Sequence, residues 1–124
     1  MRALLLAVLL VAACAQRAPT VAIAPGLTPR LDAAAAERLA RDALLAAVIA
    51  EPRNDRAPDA ISITGIRGGP TVGGYLPGKS WIVVFRGDFL TYEGFHPTRT
   101  GRHDGARVQI SDDDGSVEAV DFTD

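Results

Sequence analysis

The stretch that decides the fold is Ser80-Trp81-Ile82-Val83-Val84-Phe85-Arg86. It is the one run in the sequence that is continuously apolar and also rich in aromatic and β-branched residues, which is typical of a strand covered on one face and partly on the other. Because side chains alternate along a strand, Trp81, Val83 and Phe85 point to the same side. We expect this larger apolar side to pack against the one long helix of the chain.

That helix is predicted from Thr28-Pro29, where threonine suits an N-cap and proline the first helical position, to about Ala50, because Glu51-Pro52 stops it. Small apolar residues gather on one side at helical spacing, and these are Ala36, Leu39, Ala40, Ala43, Leu44 and Ala47. A face made mostly of alanine can lie close to a sheet. Glu37 and Arg41 are spaced as an i,i+4 pair, so the charged side is interpreted as a solvated face.

The remaining strands follow the helix. Residues 61–64 alternate and predict a first strand with Gly65 as a candidate bulge, while the glycine-rich residues 68–78 predict a mobile loop. Residues 106–110 and 117–122, joined by a turn at 112–115, predict a closing hairpin. Strands segregated from the helix predict a single α+β domain over residues 28–124, with one helix on an antiparallel sheet. No element is predicted over residues 87–105.

The N-terminus predicts export. Met1-Arg2 is positive, and the apolar run of residues 3–13 is too short to span a membrane, so a secretory signal fits. Val11-Ala12-Ala13-Cys14 resembles the lipobox of bacterial lipoproteins. The resemblance implies cleavage before Cys14 and acylation of its thiol, with residues 14–27 as a tether. An ordinary signal peptide cut after Ala15, which would discard Cys14, is the alternative.

The composition and the predicted lipid anchor limit where the protein is located and which classes of partner it can bind. Several acyl chains on one cysteine hold a protein stably on a membrane. Ala15, rather than aspartate, follows that cysteine, and by resemblance this implies the outer membrane, facing the periplasm. A single cysteine excludes an internal disulfide. A formal net charge of -2 gives no electrostatic reason to expect nucleic acid.

One sequence motif suggests a nucleotide site and is rejected. Residues 73–80 match the P-loop pattern G-x-x-x-x-G-K-[ST] letter for letter. The chemistry requires a helix after the loop, whose N-terminus and backbone N–H groups hold the phosphates. Here the residues after Lys79 form the best predicted strand, and Pro77 removes one N–H donor. We therefore expect no nucleotide and no other cofactor.

Catalytic and metal sites are also not predicted. Asp112-Asp113-Asp114-Gly115 lacks the glycine and glutamate spacing of an EF-hand, so a solvated turn is expected. His96, His103 and Asp104 could be combined with Ser80 into a hydrolytic triad, yet no nucleophile-elbow sequence surrounds the serine. A third metal ligand is not indicated by the spacing. The chain is expected not to be an enzyme, with a small periplasmic hydrolase using His96 or His103 as the alternative.

Residues 87–105 are the preferred place for a function, because aromatic and arginine side chains are enriched in interface anchors. The candidate partner-binding residues are Tyr75, Tyr92, Phe95, Arg99, Arg102 and His103. The alternative is that Phe89 and Phe95 fold back to complete the core while the arginines keep the loop soluble.

The closing hairpin also suggests a family. Residues 106–117, preceded by the Trp81-containing strand and an alanine-rich helix, resemble the PepSY-type domain of secreted bacterial proteins, although Ser111 stands where the family has aspartate. The resemblance implies a cystatin-like helix on an antiparallel sheet, without catalytic residues. It also implies that the protein binds or restrains another envelope protein, peptidases among them. A structural lipoprotein that binds cell wall is a further alternative.

Overall fold

A computed structural model describes residues 18–49, 58–67, 70–71, 74–75, 78–94 and 99–124. Its elements, in chain order, are β1 (Thr20–Ile23), α1 (Ala33–Ala47), β2 (Asp59–Arg67), β3 (Pro70–Thr71), β4 (Gly74–Tyr75), β5 (Lys79–Tyr92), β6 (Thr100–Ser111) and β7 (Val117–Thr123). Within these ranges, no helix has the length and apolar character needed to cross a membrane. Cys14, Phe95 and His96 lie outside the described residues.

Five strands form one mixed sheet in the order β1-β2-β5-β6-β7, and β3 pairs with β4 in a separate two-stranded sheet. The predicted α+β class with one helix is confirmed. The prediction of a purely antiparallel sheet is wrong, because β1 pairs with β2 in parallel, with Thr20 opposite Ser62. Strand β1 belongs to the segment predicted as a tether, so the sheet begins before residue 28.

The core lies between α1 and one face of this sheet. Trp81, Val83 and Phe85 are buried on the same side of β5, as predicted, and Ala40 and Leu44 of the helix are buried with them. The alanines are small, and the helix backbone can therefore lie close to the strands. The space between the helix and the sheet is filled by the large side chains of the sheet. Burial of each large apolar side chain contributes roughly 1.5–3 kcal/mol.

Strand β2 is longer than the predicted 61–64, and its register shifts between Ala60 and Ser62 rather than at Gly65. Gly65 instead lies under the Trp81 ring, where an added Cβ would stand 3.4 Å from the indole. The predicted closing hairpin is confirmed as β6 and β7. Its turn includes Gly115 at a φ of 74°, a conformation that glycine adopts without strain.

Helix α1 begins later than predicted. Asp32 is the N-cap, and its carboxylate accepts a hydrogen bond from the Ala35 N–H at 2.7 Å. Thr28 and the residues after it are held by other parts of the chain: the Lys79 ammonium donates to the Thr28 carbonyl at 2.8 Å, and the Leu31 N–H donates to a distant carboxylate. Those long-range bonds place residues 28–31 outside the helix.

The charged side of α1 is only partly a solvated face. Glu37 and Arg41 form the predicted i,i+4 pair, 3.1 Å apart. The Arg41 guanidinium also lies over the Phe85 ring, 5.4 Å from its centroid, and donates to the Pro58 carbonyl. Arg41 therefore covers the gap between the helix and the start of β2 with both its alkyl stem and its charge.

Most of the described part of residues 87–105 is strand, which is the largest correction to the sequence-based prediction. Strands β5 and β6 run through this region and pair with each other as far as Tyr92 and Thr100. The last pair of β5 with β2 involves Arg86, and the last pair of β6 with β7 involves Gly105. Beyond these rows the two strands project past the five-stranded sheet, and the Glu93 N–H donates to the Arg99 carbonyl after the last strand pair. We name residues 89–93 with residues 99–103 the arm.

Candidate functional site

A β-bulge marks the base of the arm. Arg86 pairs with Gly105 and Phe89 pairs with His103, so two residues of β5 stand opposite Asp104 alone. Bulges bend a strand and increase its twist, which turns the arm relative to the sheet. Gly87 is required there, because a Cβ at this position would lie 2.8 Å from the Phe89 ring.

The helix-facing side of the arm is closed by aromatic packing. Phe89 is 4% exposed and its ring centroid lies 5.9 Å from that of Phe122 in β7. The His103 ring stacks on the same Phe122 at 5.7 Å. Leu90 accepts a hydrogen bond from the Ile49 N–H, 2.8 Å away, which ties the arm to the segment after the helix. The alternative interpretation of Phe89 as a core residue is thus confirmed.

His103 is held by carboxylates on both ring nitrogens. Nδ1 lies 2.8 Å from Asp124 Oδ1, and Nε2 lies 3.6 Å from Glu93 Oε1. A histidine in this setting positions the end of β7 against the arm. It is partly buried, so its role in the described contacts is to join elements rather than to present a free ring.

The exposed side of the arm carries the other predicted residues. Tyr92 is 60% exposed, the most exposed of the large apolar side chains in the described part of the chain. Arg99 is exposed, and its carbonyl accepts a hydrogen bond from the Glu93 N–H at 2.8 Å. Arg102 forms an ion pair with Asp88 of the bulge at 3.0 Å, and both side chains are largely exposed.

Four of the six predicted binding residues therefore share the arm: Tyr92, Arg99, Arg102 and His103. Tyr75 lies in β4, in the separate two-stranded sheet, with its backbone opposite Pro70. Phe95 falls outside the described residues. The strands that carry these residues were not predicted, and their role in binding stays a prediction.

A shallow depression of about 350 Å³ lies at the base of the arm and is open to solvent. It is lined by Gly87 and by five residues with polar or charged side chains, which are Asp88, Arg102, His103, Asp104 and Asp124. Small-molecule sites are usually enclosed and mainly apolar. In the described ranges, no three His, Cys, Asp or Glu side chains are placed to hold a metal ion. The depression is therefore not a typical enclosed small-molecule site.

Ser80 and His103, which belong to the candidate hydrolytic triad, do not lie together. Ser80 pairs with Ser111 at one end of β5, whereas His103 pairs with Phe89 in the arm. Eight strand steps separate the two rows, which is about 27 Å at the usual rise per residue. The Ser80 hydroxyl instead donates to Glu118 at 2.6 Å. Lys79 and Ser80 of the P-loop pattern begin a strand rather than a helix, as the sequence predicted.

Asp112 is the buried charged group that the sequence analysis missed. The sequence predicts a solvated turn here, yet the Asp112 side chain is 1% exposed. Its carboxylate accepts hydrogen bonds from the Arg30 N–H at 2.7 Å, the Leu31 N–H at 2.8 Å and the Trp81 indole at 3.0 Å. Burial raises the pKa of this carboxyl, but these three donors and the charge of Lys79 outweigh burial and hold the pKa below its ordinary value.

A buried amide lies on the face of the sheet opposite the helix. Gln109 pairs with Ile82, whose side chain alternates away from the core. It is 4% exposed, and within the described chain its Nε2 has no hydrogen-bond partner. Natural proteins contain few such groups, because leaving a buried donor unsatisfied costs about 1–3 kcal/mol.

Comparisons with known proteins return nothing for this chain: no family model, no characterised protein and no solved structure matches it. The site must therefore be interpreted from its own geometry. That geometry is an exposed polar and aromatic arm, braced by a buried phenylalanine at its base.

Proposed function

We propose that this chain is a lipid-anchored protein of the bacterial cell envelope that works as a non-enzymatic binding module for another envelope protein. Cys14 carries the lipid in the outer membrane, and the domain faces the periplasm with a PepSY-like arrangement of one helix on a sheet. An envelope peptidase is the partner class that the family resemblance suggests. The lipobox-like residues 11–14 support the anchor.

The arm is the observation that carries the binding function. Ordering two strands that project beyond their sheet costs backbone conformational entropy. Burial of side chains on the exposed side of the arm does not offset this cost. Tyr92 is 60% exposed there, with exposed Arg99 beside it. Tyrosine and arginine are the residue types that most often anchor a partner, since each buries a large area with few rotatable bonds or makes several directed hydrogen bonds. A partner would cover this surface.

The test is crosslinking capture from living cells with the full-length, lipidated protein. The double variant Tyr92→Ala, Arg99→Ala removes the two exposed anchors while leaving Phe89 and the bulge intact. The matched control is Val117→Ala, Arg38→Ala, which removes one exposed apolar side chain and one exposed arginine away from the arm.

We expect one envelope protein to be captured by the native chain and by the control, and to be lost with the arm variant at an unchanged unfolding temperature. Unfolding of the arm variant would show that these side chains are structural. Capture unaffected by the arm variant would place the binding surface elsewhere. Co-sedimentation with purified cell wall, without any captured protein, would favour the structural lipoprotein.

A hydrolase that uses His103 is the rival. Its support is the carboxylate at each ring nitrogen, since a carboxylate often orients a catalytic imidazole. However, Nδ1 is engaged by Asp124, Nε2 faces the Glu93 carboxylate at 3.6 Å, and Ser80 is at the other end of β5. Turnover of a substrate that His103→Ala abolishes, in a variant that stays folded, would establish the hydrolase instead.

A further inference from the structure

Strand polarity places the anchor and the arm at the same end of the domain. Strand β1 is parallel to β2, and β2 is antiparallel to β5, so Thr20 lies in the row of Ser62 and Val84. The chain enters β1 at Thr20, and β5 leaves that row towards Tyr92. The segment that arrives from Cys14 therefore reaches the sheet from the side on which the arm projects.

The two reaches are closely matched. Six residue steps separate Cys14 from Thr20, which span at most about 20 Å when fully extended. From the row of Val84 to Tyr92, β5 advances eight residues with one taken up by the bulge, or about 24 Å. With the tether extended, a chain anchored through Cys14 and oriented in this way has Tyr92 within a few ångströms of the bilayer surface.

The opposite orientation is disfavoured by length. To direct the arm away from the membrane, residues 15–19 would have to run back past the end of the sheet that contains Lys79. That end lies five residues, or about 17 Å, from the row of Val84, and the β6–β7 turn adds to it. The tether would have to reverse its direction at Thr20 and then be fully extended as well, whereas in the first orientation it continues in the direction of β1.

Charge decides what the arm contacts at that level. The positive charges of Arg99 and Arg102 in the arm are balanced by the negative charges of Glu93 in the arm and Asp88 in the bulge, and His103 lies between two carboxylates. This balance gives little attraction to an anionic lipid surface, and the chain as a whole is acidic. Exposed Tyr92 and the mixed charges instead suit the irregular polar surface of a protein.

We propose that the arm binds a protein embedded in the same membrane that holds the anchor, at the part of that protein next to the bilayer. This inference rests on the proposed lipid anchor and narrows the partner of the same arm to an integral membrane protein. The short tether keeps the arm close to the membrane and so raises its effective concentration at a partner in that membrane. The tether would not raise the affinity for a periplasmic protein that diffuses freely.

The experiment uses full-length, lipidated protein in cells, with a photo-crosslinking residue at position 92, at 99 as a second arm site, or at 116 in the turn at the far end of the sheet. A second set carries a flexible Gly/Ser spacer of about 20 residues between Arg17 and Ala18, which adds a root-mean-square reach of about 25 Å. Partner solubility is determined by carbonate extraction, and the membrane fraction is quantified for every variant.

We expect crosslinks from positions 92 and 99, and not from 116, to a protein that resists carbonate extraction, with a several-fold loss of yield when the spacer is present. A soluble partner, crosslinks to lipid alone, or a yield indifferent to the spacer would each overturn this inference while leaving the anchored binding module in place. Absence of the native chain from the membrane fraction would overturn the anchor and this inference together.

Discussion

The Trp81 indole nitrogen donates a hydrogen bond to the Asp112 carboxylate across 3.0 Å, and both side chains are buried. This bond joins the central strand to the turn between β6 and β7. The same carboxylate accepts from the Arg30 and Leu31 N–H groups, so it also fixes the segment that leads into α1. Three separate parts of the chain thus meet at one charged group.

Removal of this carboxylate should strongly destabilise the fold. Asp112→Ala leaves the indole and two backbone N–H groups buried without an acceptor, and we expect a loss of about 3 kcal/mol in the free energy of unfolding. Asp113→Ala, at the exposed neighbouring position, should change it by less than about 0.5 kcal/mol. Urea unfolding measures the free energy of unfolding of each variant. Equal losses in the two variants would show that the hydrogen bonds of Asp112 do not stabilise the fold.

Acid should destabilise the protein through the same group. The pKa of Asp112 lies below its ordinary value of 3.8 in the folded state, so the unfolded chain binds a proton first as the pH falls. The stabilisation is therefore fully present above that ordinary value and is lost as the pH falls through the lower folded pKa. Unfolding free energy measured from neutral pH to about 2 should fall more steeply in the native chain than in Asp112→Asn. Parallel curves would contradict this.

The bulge at the base of the arm should not tolerate a larger residue. In Gly87→Ala, the new Cβ would stand 2.8 Å from the Phe89 ring, which is buried and cannot rotate away freely. We expect a cost of about 1–3 kcal/mol. Gly101→Ala is the control in the facing strand, where the new Cβ would stand 1.8 Å from Glu93 Oε1, and the exposed Glu93 side chain can move aside at the loss of its contact with His103. A cost no greater for Gly87→Ala than for the control would mean that Phe89 repacks without strain.

Gln109 should be replaceable with a gain in stability. Its buried Nε2 lacks a partner within the described chain, so Gln109→Met removes an unsatisfied donor and keeps the volume. We expect the free energy of unfolding to rise by about 1 kcal/mol, whereas Gln109→Glu should lower it by burying a charge. A loss of stability with methionine would indicate that the amide makes a hydrogen bond that matters.

Elements with a strong local pattern could be predicted from the sequence. The helix, the central strand and the closing hairpin each alternate or repeat at the period of their secondary structure, and each contributes a buried apolar face. Residues 100–105 carry no such pattern, because none of them is apolar apart from glycine, and the strand is held by pairing with β5. Polar strands of this kind cannot be recognised without knowing the partner strand.

Two further features depend on contacts between distant parts of the chain. Strand β1 has only four residues and lies between two prolines. It pairs in parallel with residues of β2 that are some forty positions away in the sequence, so no local pattern indicates the pairing. Asp112 looks like one of three turn aspartates, and only its donors, more than thirty residues away in sequence, make it buried. The candidate binding residues were chosen by composition alone, because aromatic and arginine side chains cluster in residues 87–105.

The anchor at Cys14 is the central claim, since both the binding function and the orientation of the arm depend on it. Intact-mass analysis of the protein purified from membranes, followed by N-terminal peptide mapping, tests it most directly. We predict a mature chain that begins at Cys14 and carries the mass of a diacylglycerol group with or without a further acyl chain. An unmodified chain that begins at Gln16 would contradict the anchor and identify an ordinary secretory signal.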